Sequence, residues 1–105
     1  MKTYKVTLKP DAYEDLKRIY IYIAKESQMP EVAMAYIQKL ESACQHFIHA
    51  PIRGQKRDDL RENLRIAPLD KSAVVAFEVD EEQQVVTIFN IFYGGEDYEV
   101  LIKPL

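Results

Sequence analysis

The side chains of this sequence able to do chemistry fall into two stretches of opposite charge. From Arg53 to Lys71 there are six bases (Arg53, Lys56, Arg57, Arg61, Arg65, Lys71) and four acids (Asp58, Asp59, Glu62, Asp70). From Glu78 to Glu99 there are seven acids and no base. Clustered cations could neutralise phosphates, but general nucleic-acid binding needs a whole basic face. With a net charge of −3, this chain offers a small one at best. Bases in a connecting segment with acids beside them are ordinarily solvated or paired at small net gain, the plain reading of Arg53, Lys56 and Arg57. A protein partner suits this balance better than a polynucleotide.

The other reactive types are sparse. His46 and His49 stand three apart on what reads as the polar face of a helix. Such a pair can share a metal ion, yet no Cys, Asp or Glu completes a ligand set at suitable spacing. They read as surface histidines, and no metal is expected. Cys44 is the one cysteine, so it cannot close an intramolecular disulfide, and it falls on an apolar stripe as a small core residue. There is no Gly-rich phosphate loop, GxSxG elbow or HExxH pair, and no cofactor is expected. Seven tyrosines are many, but Tyr4, Tyr20 and Tyr36 take core-facing positions, so a base-stacking platform is not indicated.

Local patterns say which elements carry these residues. Tyr4, Val6 and Leu8 alternate with Lys5, Thr7 and Lys9, the period of a half-buried strand. Pro10 and Asp11 end it, with Asp11 expected as the N-cap of a helix and Glu14 three residues later. Ala12, Leu16, Ile19, Tyr20 and Ile23 then recur at helical spacing, predicting an amphipathic helix over 11–26. After a break at Ser27, Gln28 and Met29, Pro30 suits the first turn of a second helix running to about His49. Its apolar stripe is Val32, Ala33, Tyr36, Ile37, Leu40, Ala43, Cys44, Phe47 and Ile48. The short link predicts an antiparallel hairpin, which Ala50-Pro51 and Gly54 end.

Residues 52–63 read as an exposed connection of mixed charge, and 64–67 as a short strand ending at Pro68. Residues 72–79 and 84–93 are β-branched and aromatic on both faces, as strands inside a sheet are. Strict alternation puts Val85, Phe89 and Ile91 on one face of the second of these and Val86, Ile88 and Phe92 on the other. Asp80 to Gln83 is a charged link for a hairpin, Gly94-Gly95 closes the last strand, and a tail runs from Glu96 to Leu105. The order is strand, two helices, three strands. It predicts an α+β domain with an antiparallel or mixed sheet and the helical hairpin on one face. At 105 residues the chain holds one core and one domain, 1–105. The first residues lack the apolar run of a signal peptide, and no window approaches the ~20 apolar residues of a membrane span. The expected location is the cytoplasm, away from membranes.

This layout resembles the RelE/ParE superfamily of type II toxin–antitoxin toxins. Asp15-Leu16, Ile19 and Tyr22-Ile23 are similar to its "DL..I..YI" run. Pro30, Ala33 and Ala50-Pro51 bound the second helix, Leu60-Arg61 and Leu64-Arg65 take the "LR" positions, and Gly94-Gly95-Glu96-Asp97 is similar to a common "GGRD" ending. The resemblance covers essentially the whole chain. It implies a growth-inhibiting toxin, of the kind that stabilises plasmids, neutralised by a cognate antitoxin in a hetero-oligomer. The ParE branch inhibits DNA gyrase, whereas the RelE branch cleaves mRNA on the ribosome, and a shared fold cannot choose between them.

For the cleaving branch, the resemblance assigns phosphodiester chemistry to clustered Lys/Arg with a late Tyr, here Arg57, Arg61, Arg65 and Tyr93. Cations matter there because negative charge grows on the phosphoryl oxygens. Where a "GGRD" ending supplies arginine, however, this chain has Glu96, and no base follows until Lys103. A Glu–Asp–Glu group beside a scissile phosphate would raise the barrier. The expected function is therefore a non-enzymatic, ParE-like inhibitor of gyrase. Its partner-binding residues are expected to be Arg61, Arg65, Glu96, Asp97 and Tyr98. The alternatives are a ribosome-dependent mRNA endonuclease, or a non-toxic antitoxin-binding member, which the Glu96 substitution keeps open.

Overall fold

Two prolines set the start of the two long helices. In the computed structural model, which describes residues 3–46 and 54–102, α1 (Pro10–Ser27) and α2 (Pro30–Gln45) each begin with proline in the first turn. A proline lacks only an N–H that would be orphaned there, and its fixed φ is already helical. This moves the α1 cap to Lys9, not Asp11, and no side chain caps either N-terminus. α1 stops at Gln28, which adopts φ 57°. Around that stop, the Ser27 hydroxyl donates to the Ile23 carbonyl at 2.8 Å and accepts the Met29 N–H at 3.1 Å. The expected end of the second helix, with Phe47, Ile48, His49 and Ala50-Pro51, lies outside the described residues, as do Arg53 and the tail from Lys103.

The hairpin packs on a five-stranded sheet of order β1-β5-β4-β3-β2, formed by β1 (Lys5–Leu8), β2 (Gln55–Lys56), β3 (Arg65–Pro68), β4 (Ala73–Asp80) and β5 (Val85–Tyr93). The first strand lies parallel to β5, and the other pairs are antiparallel, so the sheet is mixed. Strand β2 falls inside the stretch expected as a plain connection. It reaches its neighbour because Gly54, at φ +80°, has no side chain; a Cβ there would collide with the Ile66 carbonyl and sit 2.7 Å from the Ala67 Cβ.

One cluster joins hairpin and sheet: Ala12, Leu16 and Ile19 of α1, Ile37, Leu40 and Cys44 of α2, and Val75, Phe77, Val86, Ile88 and Ile91 of the sheet. Ile23 and Tyr36 pack at its margin, half-buried. Val32, placed on the stripe by periodicity, is 44% exposed, because the buried face of α2 runs through its neighbour Ala33 and on through Ile37, Leu40 and Cys44. Strict alternation fails in β5. Ala76 pairs with Asn90 but Phe77 with Ile88, so β5 carries one extra residue, a bulge that resets the side-chain phase. Val86, Ile88 and Ile91 consequently share the helical face, and Phe89 and Phe92 share the other.

That second face is covered by the segments that precede β3 and follow β5. Leu60 and Leu64 before β3, with Tyr98 and Ile102 after β5, pack on Ile66, Ala76, Phe89 and Phe92. The tail is thus no loose strand end: α3 (Tyr98–Leu101) is a single helical turn that brings Ile102 down to 8% exposure. It explains why both central strands are apolar on both sides.

Candidate functional site

Three elements converge beyond the end of β5. Tyr22 of α1 and Tyr36 of α2 both meet Tyr93 edge-to-face, with ring centroids 6.0 and 5.5 Å apart. The Tyr36 hydroxyl donates to the Asp70 carboxylate at 3.0 Å, which also takes the N–H groups of Ser72 and Ala73 at 2.8 and 2.9 Å. Partial burial and the Asp70 carboxylate push the Tyr36 phenol far above its ordinary range. Burial pushes the Asp70 carboxyl up, but the Ser72 N–H, the Tyr36 hydroxyl, the Ala73 N–H and Lys39 together hold it below the usual carboxylate range. This latch ties the second helix to the β3–β4 turn.

Beside it, Gly94 and Gly95 turn the chain at φ +70° and +79°. The turn delivers Glu96 back to its own strand. The Tyr93 N–H donates to Glu96 Oε1 at 2.9 Å, and the Arg18 guanidinium donates to the same oxygen at 3.2 Å. Arg18 also pairs with Asp15 at 3.3 Å. A cleft of about 320 Å³ opens here, lined by Arg18, Ile19, Tyr22, Tyr93, Gly94 and Glu96. The acidic ending is therefore partly neutralised by a base from the first helix. Neither Arg18 nor Tyr22 stood out in the sequence as a site residue, since helical periodicity marks both only as solvent-side positions.

The arginines assigned to phosphodiester chemistry each have a different set of neighbours. Arg57 grips Asp59 through two bonds of 2.9 and 2.8 Å and reaches Glu99 at 2.9 Å. These bonds, to Asp59 first and Glu99 second, raise the guanidinium further above its already high range and hold the Asp59 carboxyl below its own. Arg61 lies half-buried with its guanidinium 4.9 Å from the centre of the Phe89 ring, and it lines a depression with Asp11, Glu14 and Asp15 of α1. Arg65 lines a different depression of about 510 Å³, with Lys56 and Asn63 on one side and Glu78 through Glu82 on the other. Tyr93 is elsewhere again. The β4 partners of Arg65 and Tyr93 are Phe77 and Ala73, four residues apart. At ~3.3 Å per residue that places them roughly 13 Å apart along the sheet, before the intervening strand is crossed.

The remaining candidates divide by exposure. Asp97 is exposed at the start of α3, whereas Tyr98 is half-buried, its ring 6.0 Å from that of Phe92. His46 is exposed at the end of the described α2. Cys44 is buried, which pushes its thiol up to about 12. No helix among the described residues is long and apolar enough to cross a membrane.

The sequence pattern of one family, described as the ParE toxin of the type II toxin–antitoxin system parDE, matches residues 6–98. No curated protein matches significantly. Among solved structures, the chain is similar to one described as the chromosomal ParDE system from P. aeruginosa, with 18% identity and a TM-score of 0.70 over 87% of this chain and 96% of that one. It is also similar to the toxin–antitoxin complex RelBE2 from Mycobacterium tuberculosis, with 17% identity and a TM-score of 0.59 over 87% and 98%. A mutant of the E. coli toxin RelE in the free state follows at 11% identity, with a TM-score of 0.55 over 95% and 93%. At these identities the structural likeness speaks for the fold alone.

Proposed function

The chain belongs to the ParE toxin family of type II toxin–antitoxin systems, and from that premise we propose that it inhibits DNA gyrase by binding it, until a cognate antitoxin covers it. The observation that carries this reading is the separation of Tyr93 from Arg65, roughly 13 Å along the sheet. Phosphodiester cleavage needs preorganised cations and a proton donor within bonding distance of one phosphate. Here Arg57 is engaged by two carboxylates, and Arg65 faces an acidic wall. Glu96 and Glu99 are held by Arg18 and Arg57, so the obstacle is less bare repulsion than cations already committed elsewhere.

A protein-binding toxin needs surface instead. Tyr13, Ile21, Tyr22, Met29, Val32 and Met34 of the hairpin region are each at least 44% exposed and offer apolar area to a partner. An antitoxin segment that folds onto the toxin would cover such groups. Arg65, Glu96 and Asp97 are the partner contacts with charge to offer. Arg61 and Tyr98 serve the same partner indirectly, by holding the tail on the sheet. Induced expression in a bacterium, with parallel readout of plasmid supercoiling and mRNA integrity, tests the proposal. Relaxed plasmids with intact mRNA are expected; mRNA cut within codons, with supercoiling untouched, would overturn it.

A further inference from the structure

The pairing of Arg18 with Glu96 is a loose one in a well-formed place. A single guanidinium nitrogen stands 3.2 Å from both Glu96 oxygens and hydrogen-bonds one of them, rather than two nitrogens gripping the carboxylate as a fork. The Arg18 side chain is 52% exposed, whereas that of Glu96 is 25% exposed and fixed from behind by the Tyr93 N–H. The carboxylate is built in; its cation is not. Asp15 lies 3.3 Å from the same guanidinium and would keep Arg18 paired if it left Glu96. An exchange of cations at Glu96 therefore strands no charge.

The surroundings favour a second guanidinium. Tyr22 and Tyr93 present aromatic rings to the cleft, and ring faces attract cations, arginine most often. The space above Gly94 is open, with nothing within 4 Å of where a Cβ would stand, so an approaching chain meets no obstruction. The cleft is lined by one acid, Glu96, and one base, Arg18, so a guanidinium that displaces Arg18 meets an unshared carboxylate. A planar fork can make two parallel bonds to Glu96 while lying against a ring, which a lysine ammonium cannot. We propose that this cleft receives an arginine side chain of the antitoxin, which displaces Arg18 from Glu96 onto Asp15. The identity of the donor rests on the antitoxin reading above; the guanidinium chemistry does not.

N-acetyl-arginine amide, titrated into the full-length protein and followed by amide and aromatic NMR shifts, is the direct probe. Shifts should concentrate at Tyr22, Tyr93, Gly94 and Glu96. Glu96→Gln keeps an acceptor for the Tyr93 N–H but should weaken binding about tenfold, as loss of one charge-assisted contact does. Arg18→Gln removes the resident competitor and should strengthen binding. The citrulline analogue, of similar shape without charge, should bind far more weakly. Equal binding of citrulline amide, shifts scattered over the surface, or no gain from Arg18→Gln would overturn the cleft. Co-purification with a co-expressed candidate antitoxin of this family separates the two readings. A stable complex indifferent to Glu96→Gln and Tyr22→Ala rejects the cleft while leaving the antitoxin in place. Absence of any complex, with the arginine probe still bound, rejects the antitoxin as donor.

Discussion

The carboxylate of Asp15, on the first helix, accepts the backbone N–H of Ile91 at 2.8 Å, across 76 positions of the chain. The same oxygen takes the side-chain amide of Asn90 at 3.1 Å. Both donors stand beside the extra residue of β5, where regular pairing is interrupted. The helix thus supplies the acceptor at the disturbed point of the ladder and fixes the bulge that sends Ile91 to the core. Asp15→Ala would leave two half-buried donors without a partner, a loss of about 1–3 kcal/mol. Asp15→Asn, which retains an acceptor, should lose less. Urea denaturation measures the difference, and faster hydrogen exchange at the Ile91 amide locates it. If Asp15→Ala changes neither, the bulge is held by the sheet alone.

A second prediction concerns the core. Leu40 is fully buried between hairpin and sheet, whereas Val32, on the same helix, is 44% exposed. Leu40→Ala leaves a cavity in the larger core cluster and should cost roughly 2–5 kcal/mol. Val32→Ala should stay within about 0.5 kcal/mol, as surface changes usually do. Similar losses at both positions would mean that α2 is rotated from the orientation described.

These cases show what was legible in the sequence. Both helices and the central strands follow from local periodicity and the prolines, which need no knowledge of the rest of the chain. The bulge does not, because alternation through Val85 to Phe92 looks unbroken until Asp15 of a distant helix is brought beside it. Strand β2 escaped for a related reason: two polar residues carry no pattern, and only the contact between Gly54 and Ala67 reveals them. The candidate site was legible in part. Tyr93 and Glu96 stood out at the end of a strand, but their partners Arg18 and Tyr22 carry side chains common on any solvated helix face.

The Tyr36–Asp70 latch should leave a mark on the pH dependence of stability. The Asp70 carboxyl is held below its ordinary value of about 4, so its contribution is present above that pH and is lost as pH falls through the folded-state pKa. The Tyr36 phenol is held above its ordinary value of about 10, so its contribution is complete below that pH and fades as pH rises beyond it. Between those limits, Asp70→Asn should be less stable than the parent, and the gap should close in acid. Tyr36→Phe should likewise narrow its gap above about pH 10. Urea midpoints at pH 3, 7 and 10.5 test both signs; a gap that widened in acid would exclude the latch.

Antitoxin binding should carry two thermodynamic signatures. A segment that folds as it covers Tyr13, Ile21, Tyr22 and Met34 buries apolar area and gives a strongly negative heat-capacity change. The seven acids from Glu78 to Glu99 also call for bases in the docking segment, so affinity should fall as salt rises. Calorimetry at several temperatures and salt concentrations measures both. A heat-capacity change near zero would argue that a preformed polar contact holds the pair.

The last prediction separates inhibitor from nuclease at the level of residues. A nuclease built on Arg57, Arg61, Arg65 and Tyr93 would lose cleavage of ribosome-bound mRNA on any of those substitutions while remaining folded. The geometry opposes that set. Arg57 is a strut between Asp59 and the Glu99 of α3, so Arg57→Ala should loosen the tail, seen as faster proteolysis near Glu99. Arg65 and Tyr93 are separated by roughly 13 Å along the sheet, and sub-ångström placement is what such chemistry demands. Bringing them to one phosphate would require a slip of about four residues, which would break the β3–β4–β5 pairing around buried Val75 and Phe77. Purified protein should therefore leave ribosome-bound mRNA intact while blocking gyrase-dependent supercoiling. Arg65→Ala should weaken that block without touching stability. Site-specific mRNA cuts in a purified translation system, abolished by Arg65→Ala or Tyr93→Phe, would reverse the conclusion.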